Sequence, residues 1–306
     1  MFRAFFIALS ESRALRGVAE RSAIGRKLSG RFVAGMTVED ALRATAETNQ
    51  RNMSVSVDNL GENVTNLDEA RESAHLYHQM LDEIDRRKLN ANVSLKLTHM
   101  GLDVDEDVAR NIADSVVSHA AKIDNFVRID MEGSPYTQKT LDFVRDLHRR
   151  PGNAGHVGAV IQSYLRRSEQ DVRELCAEGI RIRLCKGAYK EPAEIAYQEK
   201  SEVDANFVSL MKILLKSGVY HGIATHDPKM IDATIAFARA ENIPPKTFEF
   251  QMLYGVRRDL QEQLVRDGWG MRVYIPFGTE WYPYLMRRLA ERPANAIFIL
   301  KNLFRR

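Results

Sequence analysis

Only two cysteines, Cys176 and Cys185, occur in 306 residues. That excludes a disulfide framework and fits a reducing compartment. Neither sign of charge dominates, since 44 Lys and Arg against 41 Asp and Glu leave +3. So balanced a chain gives no case for a nucleic-acid partner. No apolar run approaches the roughly 20 residues of a membrane span. Low-complexity linkers and internal repeats are absent. His, Cys and carboxylate residues fall nowhere at metal-ligand spacing, so no metal site is expected. The run Gly152-Asn-Ala-Gly155 lacks the strand, turn and helix of a dinucleotide fingerprint and reads as a loop. What is there is 44% apolar residues, enough for one large core, in a chain somewhat longer than the roughly 250 residues of an ordinary (β/α)8 barrel.

Residues 1–50 read as an N-terminal helical extension, with Thr37-Val-Glu-Asp40 resembling a capped helix start. Within it Phe2, Phe5, Phe6 and Leu9 follow one helical face beside Arg3. Two readings stay open for that face, packing against the rest of the chain or docking as a peripheral contact on a membrane surface. A signal peptide is not expected, because Ser10, Glu11 and Arg13 break a short apolar region. The expected location is therefore cytoplasmic, with peripheral contact to the inner face of the cell membrane as the sharper alternative.

Residues 51–306 alternate apolar strand-like runs with amphipathic segments such as Leu67–Lys88 and Ile231–Glu241. The runs are Met53–Asp58, Asn92–Thr98, Phe126–Glu132, Gly158–Tyr164, Ile180–Lys186, Tyr220–His226, Phe248–Leu253 and Met271–Pro276. Strands separated by helical crossovers imply a parallel sheet, and eight of them imply a closed α/β barrel. Polar residues fall late in successive runs: Lys96, Asp130, Glu132, Gln162, Arg183, Lys186, Thr225, His226 and Asp227. The C-terminal ends of barrel strands form the mouth, so this series predicts a ligand site there. Near the end of the chain, Tyr284, Arg287, Arg288 and Glu291 share one flank of a helix. Two guanidinium forks beside a phenol and a carboxylate suit a small ligand with a carboxylate and an apolar body. The plainer alternative for that flank is a solvated Arg and Glu surface pair.

The segments Val93-Ser-Leu-Lys96, Arg128-Ile-Asp130-Met-Glu132, Val160-Ile-Gln162-Ser-Tyr164, Arg183-Leu-Cys-Lys186-Gly187-Ala188-Tyr189, Ala224-Thr225-His226-Asp227 and Tyr284-x-x-Arg287-Arg288-x-x-Glu291 together resemble the proline dehydrogenases. More narrowly, they resemble the single-function bacterial form. The resemblance runs in order from about Asp58 to the chain's end. It implies a distorted (β/α)8 barrel with its eighth helix over the mouth, and FAD held noncovalently. It implies oxidation of L-proline to Δ1-pyrroline-5-carboxylate, with electrons leaving for a membrane quinone.

Residue roles follow from the same resemblance. Arg287, Arg288 and Lys96 would clamp proline's carboxylate, with Glu291 and Asp130 holding these cations. Tyr274 and Tyr284 would wall the ring methylenes. Arg183 would sit near flavin N5, sharing the catalytic role with Asp130. Met131, Gln162, Arg183, Lys186, Gly187, Ala188, Thr225 and His226 would contact the cofactor. After Tyr189 this chain has Lys190, where bifunctional relatives carry an aromatic, so the adenine end differs. One rival reading keeps Lys96 or Lys186 as a Schiff-base nucleophile. Another is a barrel that binds an amino acid without catalysis.

Overall fold

The computed structural model describes residues 30–61 and 63–291, with the side chains of residues 287–291 outside that description. Each expected strand run overlaps a strand. They are β1 (Ser54–Asn59), β2 (Ala91–Leu95), β3 (Val127–Ile129), β4 (Val157–Gln162), β5 (Arg181–Cys185), β6 (His221–Ala224), β7 (Phe248–Leu253) and β8 (Met271–Phe277). They pair in parallel, in chain order, and β8 closes on β1. The ladder is uneven. Ser54–Asn59 runs fully alongside Arg272–Phe277, whereas β5 and β6 share only Arg183 with Gly222 and Leu184 with Ile223.

Several expected runs overshoot their strands at the C-terminal end, and β3 is the shortest. Beyond Ile129 the side chains have other work. Glu132 turns to accept from the backbone and hydroxyl of Thr98 at 3.3 and 2.8 Å.

The α-helices lying wholly within the described residues are α1 (Val38–Asn49), α2 (Leu67–Arg86), α3 (Glu106–Lys122), α4 (Ser134–Arg149), α5 (Ser168–Ala177), α6 (Lys200–Lys216), α7 (Pro228–Ala240), α8 (Arg258–Arg266) and α9 (Trp281–Glu291). Their starts are written in sequence. Thr37 and Asp40 form the expected reciprocal cap on α1, and Asn66 accepts from two backbone amides at the start of α2. Along α2, Ala70, Ser73, Ala74, Tyr77, Met80, Leu81 and Ile84 are buried at helical spacing. The opening residues Phe2, Phe5, Phe6 and Leu9 lie outside the described residues.

The closing pair of helices departs from a regular barrel. There, the helix after the eighth strand covers the outer groove between β8 and β1. Here α1 packs on both β8 and β1 and borders α2. Its Val38, Ala41, Leu42 and Ala44 join the main apolar core. The helix after β8 is thereby released from that groove. Trp281, Tyr282, Tyr284 and Leu285 of α9 instead cluster with Phe32, Val33 and Leu60, the last directly following β1. That contact sets α9 at the C-terminal mouth.

Candidate active site

Side chains alternate across each strand, and the contacts across the barrel identify the inward set. Arg183 on β5 reaches three elements. Its Nε donates to Gln251 Oε1 on β7 at 2.6 Å, its Nη1 to Asp130 Oδ1 after β3 at 2.6 Å, and its Nη2 to Ser56 Oγ on β1 at 3.1 Å. The guanidinium also lies 5.1 Å from the centre of the Tyr274 ring on β8. The Tyr274 hydroxyl donates to the other Asp130 oxygen at 2.8 Å. Burial, with Asp130 and Asp58 nearby, holds the Tyr274 phenol well above its ordinary pKa, so it remains a donor. Asp130, Arg183 and Tyr274, expected at the site from sequence, thus touch one another.

Lys96 lies just past the end of β2, where it meets a partner the sequence reading did not name. Asp130 is engaged by Arg183 and Tyr274, while its expected hold on Arg287 and Arg288 lies outside the described side chains. The carboxylate at 3.3 Å from Lys96 Nζ belongs to Asp58, the inward residue near the end of β1. A pair depends on spatial distance, which the spacing of short motifs does not carry. Asp58 is 1% exposed and also meets the Tyr77 hydroxyl at 3.5 Å. Burial pushes its carboxyl up to about 6, with Asp130 adding to the effect and Lys96 opposing it. Asp58, Ser56, Tyr77 and Gln251 were not among the expected site residues. Asp58 and Gln251 carried a usable signal, since both are polar, late in a strand run and on the inward register.

Beneath this layer lies a second polar one. Glu249 on β7 accepts from Arg272 Nε at 2.5 Å, from Gln251 Nε2 at 2.7 Å and from the Tyr220 hydroxyl at 2.9 Å. Burial alone would raise the Glu249 pKa, but Arg272, Gln251 and Tyr220 together hold it below the usual range. Arg128, also deeply buried, donates to the carbonyls of Ala159 and Arg181 at 2.9 and 2.6 Å. This interior is ionic where an ordinary barrel packs branched apolar side chains.

The remaining expected residues line the rim from β3 to β6. Gln162 Nε2 reaches the carbonyls of Met131 and Glu132 at 3.4 Å. Its Oε1 is buried with no hydrogen-bond partner among the described residues, so a ligand donor there would satisfy it. Gly187 adopts φ +109°, and a Cβ there would sit 2.3 Å from the Tyr164 ring. Backbone can therefore approach closely at Gly187 and Ala188, which are exposed at the rim. Lys186 Nζ lies between Asp204 at 2.5 Å and Asp227 at 2.7 Å. Asp227 also caps α7 by accepting from Lys229 N at 3.1 Å. Thr225 Oγ1 accepts from Asp227 N at 3.1 Å, and His226 Nε2 accepts from Leu253 N at 2.9 Å. A buried unpaired amide oxygen, a glycine that admits backbone and a run of held cations fit a flavin dinucleotide. Tyr284 is buried in the α9 cluster. Arg287, Arg288 and Glu291 belong to α9, with side chains outside the described residues.

Fold and site define a (β/α)8 barrel whose mouth is built from ion-paired cations. The proline dehydrogenase family profile matches residues 41–301. Over 301 residues the chain is 41% identical to proline dehydrogenase 2 of Bacillus subtilis (strain 168), covering 98% of both chains. Proline dehydrogenase 1 of the same strain is 39% identical over 307 residues, covering 100% of both. Among solved structures, the fold superposes with a TM-score of 0.83 and 26% identity on proline utilization A from Bdellovibrio bacteriovorus, inactivated by N-propargylglycine. That match covers 91% of this chain but 34% of the solved one, so the chain spans about a third of its length. The chain belongs to the proline dehydrogenase family.

Proposed function

We propose that this chain oxidises L-proline to Δ1-pyrroline-5-carboxylate at the barrel mouth, using noncovalent FAD, as the first step of proline catabolism. Electrons then pass to a membrane quinone. The observation that carries this reading is Arg183, a buried cation pinned by three acceptors at the mouth of a barrel of this family. Three of its five N–H groups are used, which leaves two for a ligand. When bound, FAD supplies a two-electron acceptor for hydride. Met131, Gln162, Lys186, Gly187, Ala188, Thr225 and His226 are assigned to hold the cofactor, and Arg183 to supply a fixed positive charge beside it.

On the substrate side, Arg287, Arg288 and Lys96 bind proline's carboxylate, the first two as planar forks. Glu291 orients the arginines, and Asp58 orients Lys96. Tyr274 and Tyr284 bound the ring methylenes and exclude water from the reacting carbon. A Schiff-base role for either lysine fits poorly. Both are ion-paired to carboxylates, whereas an amine nucleophile is activated by an apolar pocket or a neighbouring cation. A quinone acceptor requires approach to a lipid surface. No helix among the described residues is long and apolar enough to cross a membrane, so we assign a peripheral approach from the cytoplasmic side through the opening segment.

Protein supplied with FAD is expected to show a flavin visible band that bleaches on anaerobic addition of L-proline. A chain that stays colourless after FAD is added contradicts the reading.

A further inference from the structure

We propose that Gln251 is a positioning residue for Arg183, and that Glu249 selects the orientation of its amide. An amide side chain presents a donor on one end and an acceptor on the other, and can turn over. Here the choice is forced from both sides. Glu249 is ionised, accepts only, and already takes Arg272 Nε and the Tyr220 hydroxyl. The face that Gln251 turns to it must therefore be the NH2, at 2.7 Å. That leaves Oε1 for Arg183, which donates only and whose Nε lies 2.6 Å away. The opposite amide orientation would set NH2 against guanidinium N–H and carbonyl against carboxylate, two repulsive contacts in a buried site.

The space for this arrangement is built into the strand beside it. Gly222 on β6 pairs in register with both Glu249 and Arg183. A Cβ at Gly222 would stand 2.2 Å from Gln251 Nε2. The side chains of β5 and β7 meet across β6 because β6 presents no side chain there. Asp130 and Ser56 hold the two Nη ends of Arg183, and Gln251 holds Nε. The three together fix the guanidinium plane, its tilt as well as its place. The consequence for catalysis rests on the reading of Arg183 given above: a cation that is held in orientation needs no reorganisation as negative charge develops beside it.

The test uses the full FAD-loaded chain with Gln251→Met, Gln251→Glu and Glu249→Gln. Gln251→Met is expected to slow flavin reduction by saturating proline about tenfold, with the proline Kd within about twofold. Glu249→Gln, which keeps size but frees the amide to turn, is expected to slow it by about threefold. Gln251→Glu keeps an acceptor for Arg183 but adds a like charge beside Glu249, and is expected to lower the flavin reduction potential. Arg183 Nε–H is read separately by NMR, assigned by its loss in Arg183→Lys. It is expected to exchange slowly in the parent and fast in Gln251→Met. Parent-like reduction rates and potential in the folded variants, with only melting temperature lowered, would overturn the proposal. The Nε–H signal is readable whether or not proline bleaches the flavin. Protein that retains the slow signal but is never bleached therefore contradicts the reading of the site and leaves the positioning standing.

Discussion

Arg183 and Leu184 are neighbours on β5, and they face opposite sides of one sheet. Outward from the barrel, Val55, Val57, Val93, Leu95, Ile129, Ile182, Leu184, Ile223, Phe250 and Ile275 are each 0% exposed and belong to one apolar core with the helices. Inward, the same strands present Ser56, Asp58, Ser94, Arg128, Arg183, Glu249, Gln251, Arg272 and Tyr274. A buried ion pair contributes little net stability, because desolvation offsets most of its attraction. Apolar burial is therefore the term that holds the barrel closed, and it lies almost wholly outside the strands. The period of two separates the apolar packing face from the polar network, residue by residue. The glycine at position 222 fits this division, since on the inward side it adds nothing to packing and serves only to admit Gln251.

The largest stability effect should come from the outer face. Leu184→Ala is expected to cost about 2–5 kcal/mol of unfolding free energy. The flavin of the folded protein should still be reduced at close to the parental rate. Denaturant unfolding and anaerobic reduction on the same preparation check both halves. Equal losses from Leu184→Ala and from inward substitutions in both measurements would break the division.

A group from neither face of a strand sharpens the comparison. Replacing Arg287 or Arg288 on α9 by Met removes a charge-assisted hydrogen bond worth about 1.5–3 kcal/mol. KM for proline is expected to rise about tenfold or more in steady-state kinetics, and parental KM and kcat in both variants would remove the clamp from α9.

The smallest effect concerns the stability that the inner face gives up. The Asp58 carboxyl sits at about 6 in the folded protein against an ordinary 3.8, so the fold favours its protonated form. The resulting stabilisation is complete below about pH 4 and is lost as pH rises through about 6. Asp58→Asn imitates the protonated form. It is expected to be more stable than the parent by about 1–3 kcal/mol at pH 7.5, an advantage that fades toward pH 4. Thermal unfolding across that range checks it, and a destabilised variant at pH 7.5 would show that the charge of Asp58 supports the fold through Lys96.

Most of this architecture was legible in the sequence. Eight apolar runs became eight strands, and the Thr37–Asp40 cap formed as its residue types require. The polar strand ends from Lys96 to His226 do ring one mouth. What the sequence could not carry was partnership. Asp130 meets Arg183 and Tyr274, and Lys96 meets Asp58, pairings decided across the barrel between residues far apart in the chain. Glu249 reads as ordinary alternation within Phe248–Leu253, since a polar residue early in a run and facing a barrel interior looks the same in sequence as one facing solvent. Nor does helical periodicity tell where a helix docks. That α1 takes the groove between β8 and β1, so that α9 meets the mouth, is settled by packing alone.

On the proposed function, the inward face of β5 does chemistry and its outward face does not. Mixing FAD-loaded protein with saturating L-proline anaerobically, and following the visible flavin band in the parent, Arg183→Lys and Leu184→Ala, separates the two faces. Lysine keeps the charge but loses the planar fork that Gln251, Asp130 and Ser56 hold. Rapid bleaching is expected in the parent, near-parental bleaching in Leu184→Ala below its melting temperature, and bleaching at least about tenfold slower in Arg183→Lys. A parent that binds FAD and is not bleached, or an Arg183→Lys variant that bleaches at the parental rate, would contradict this reading.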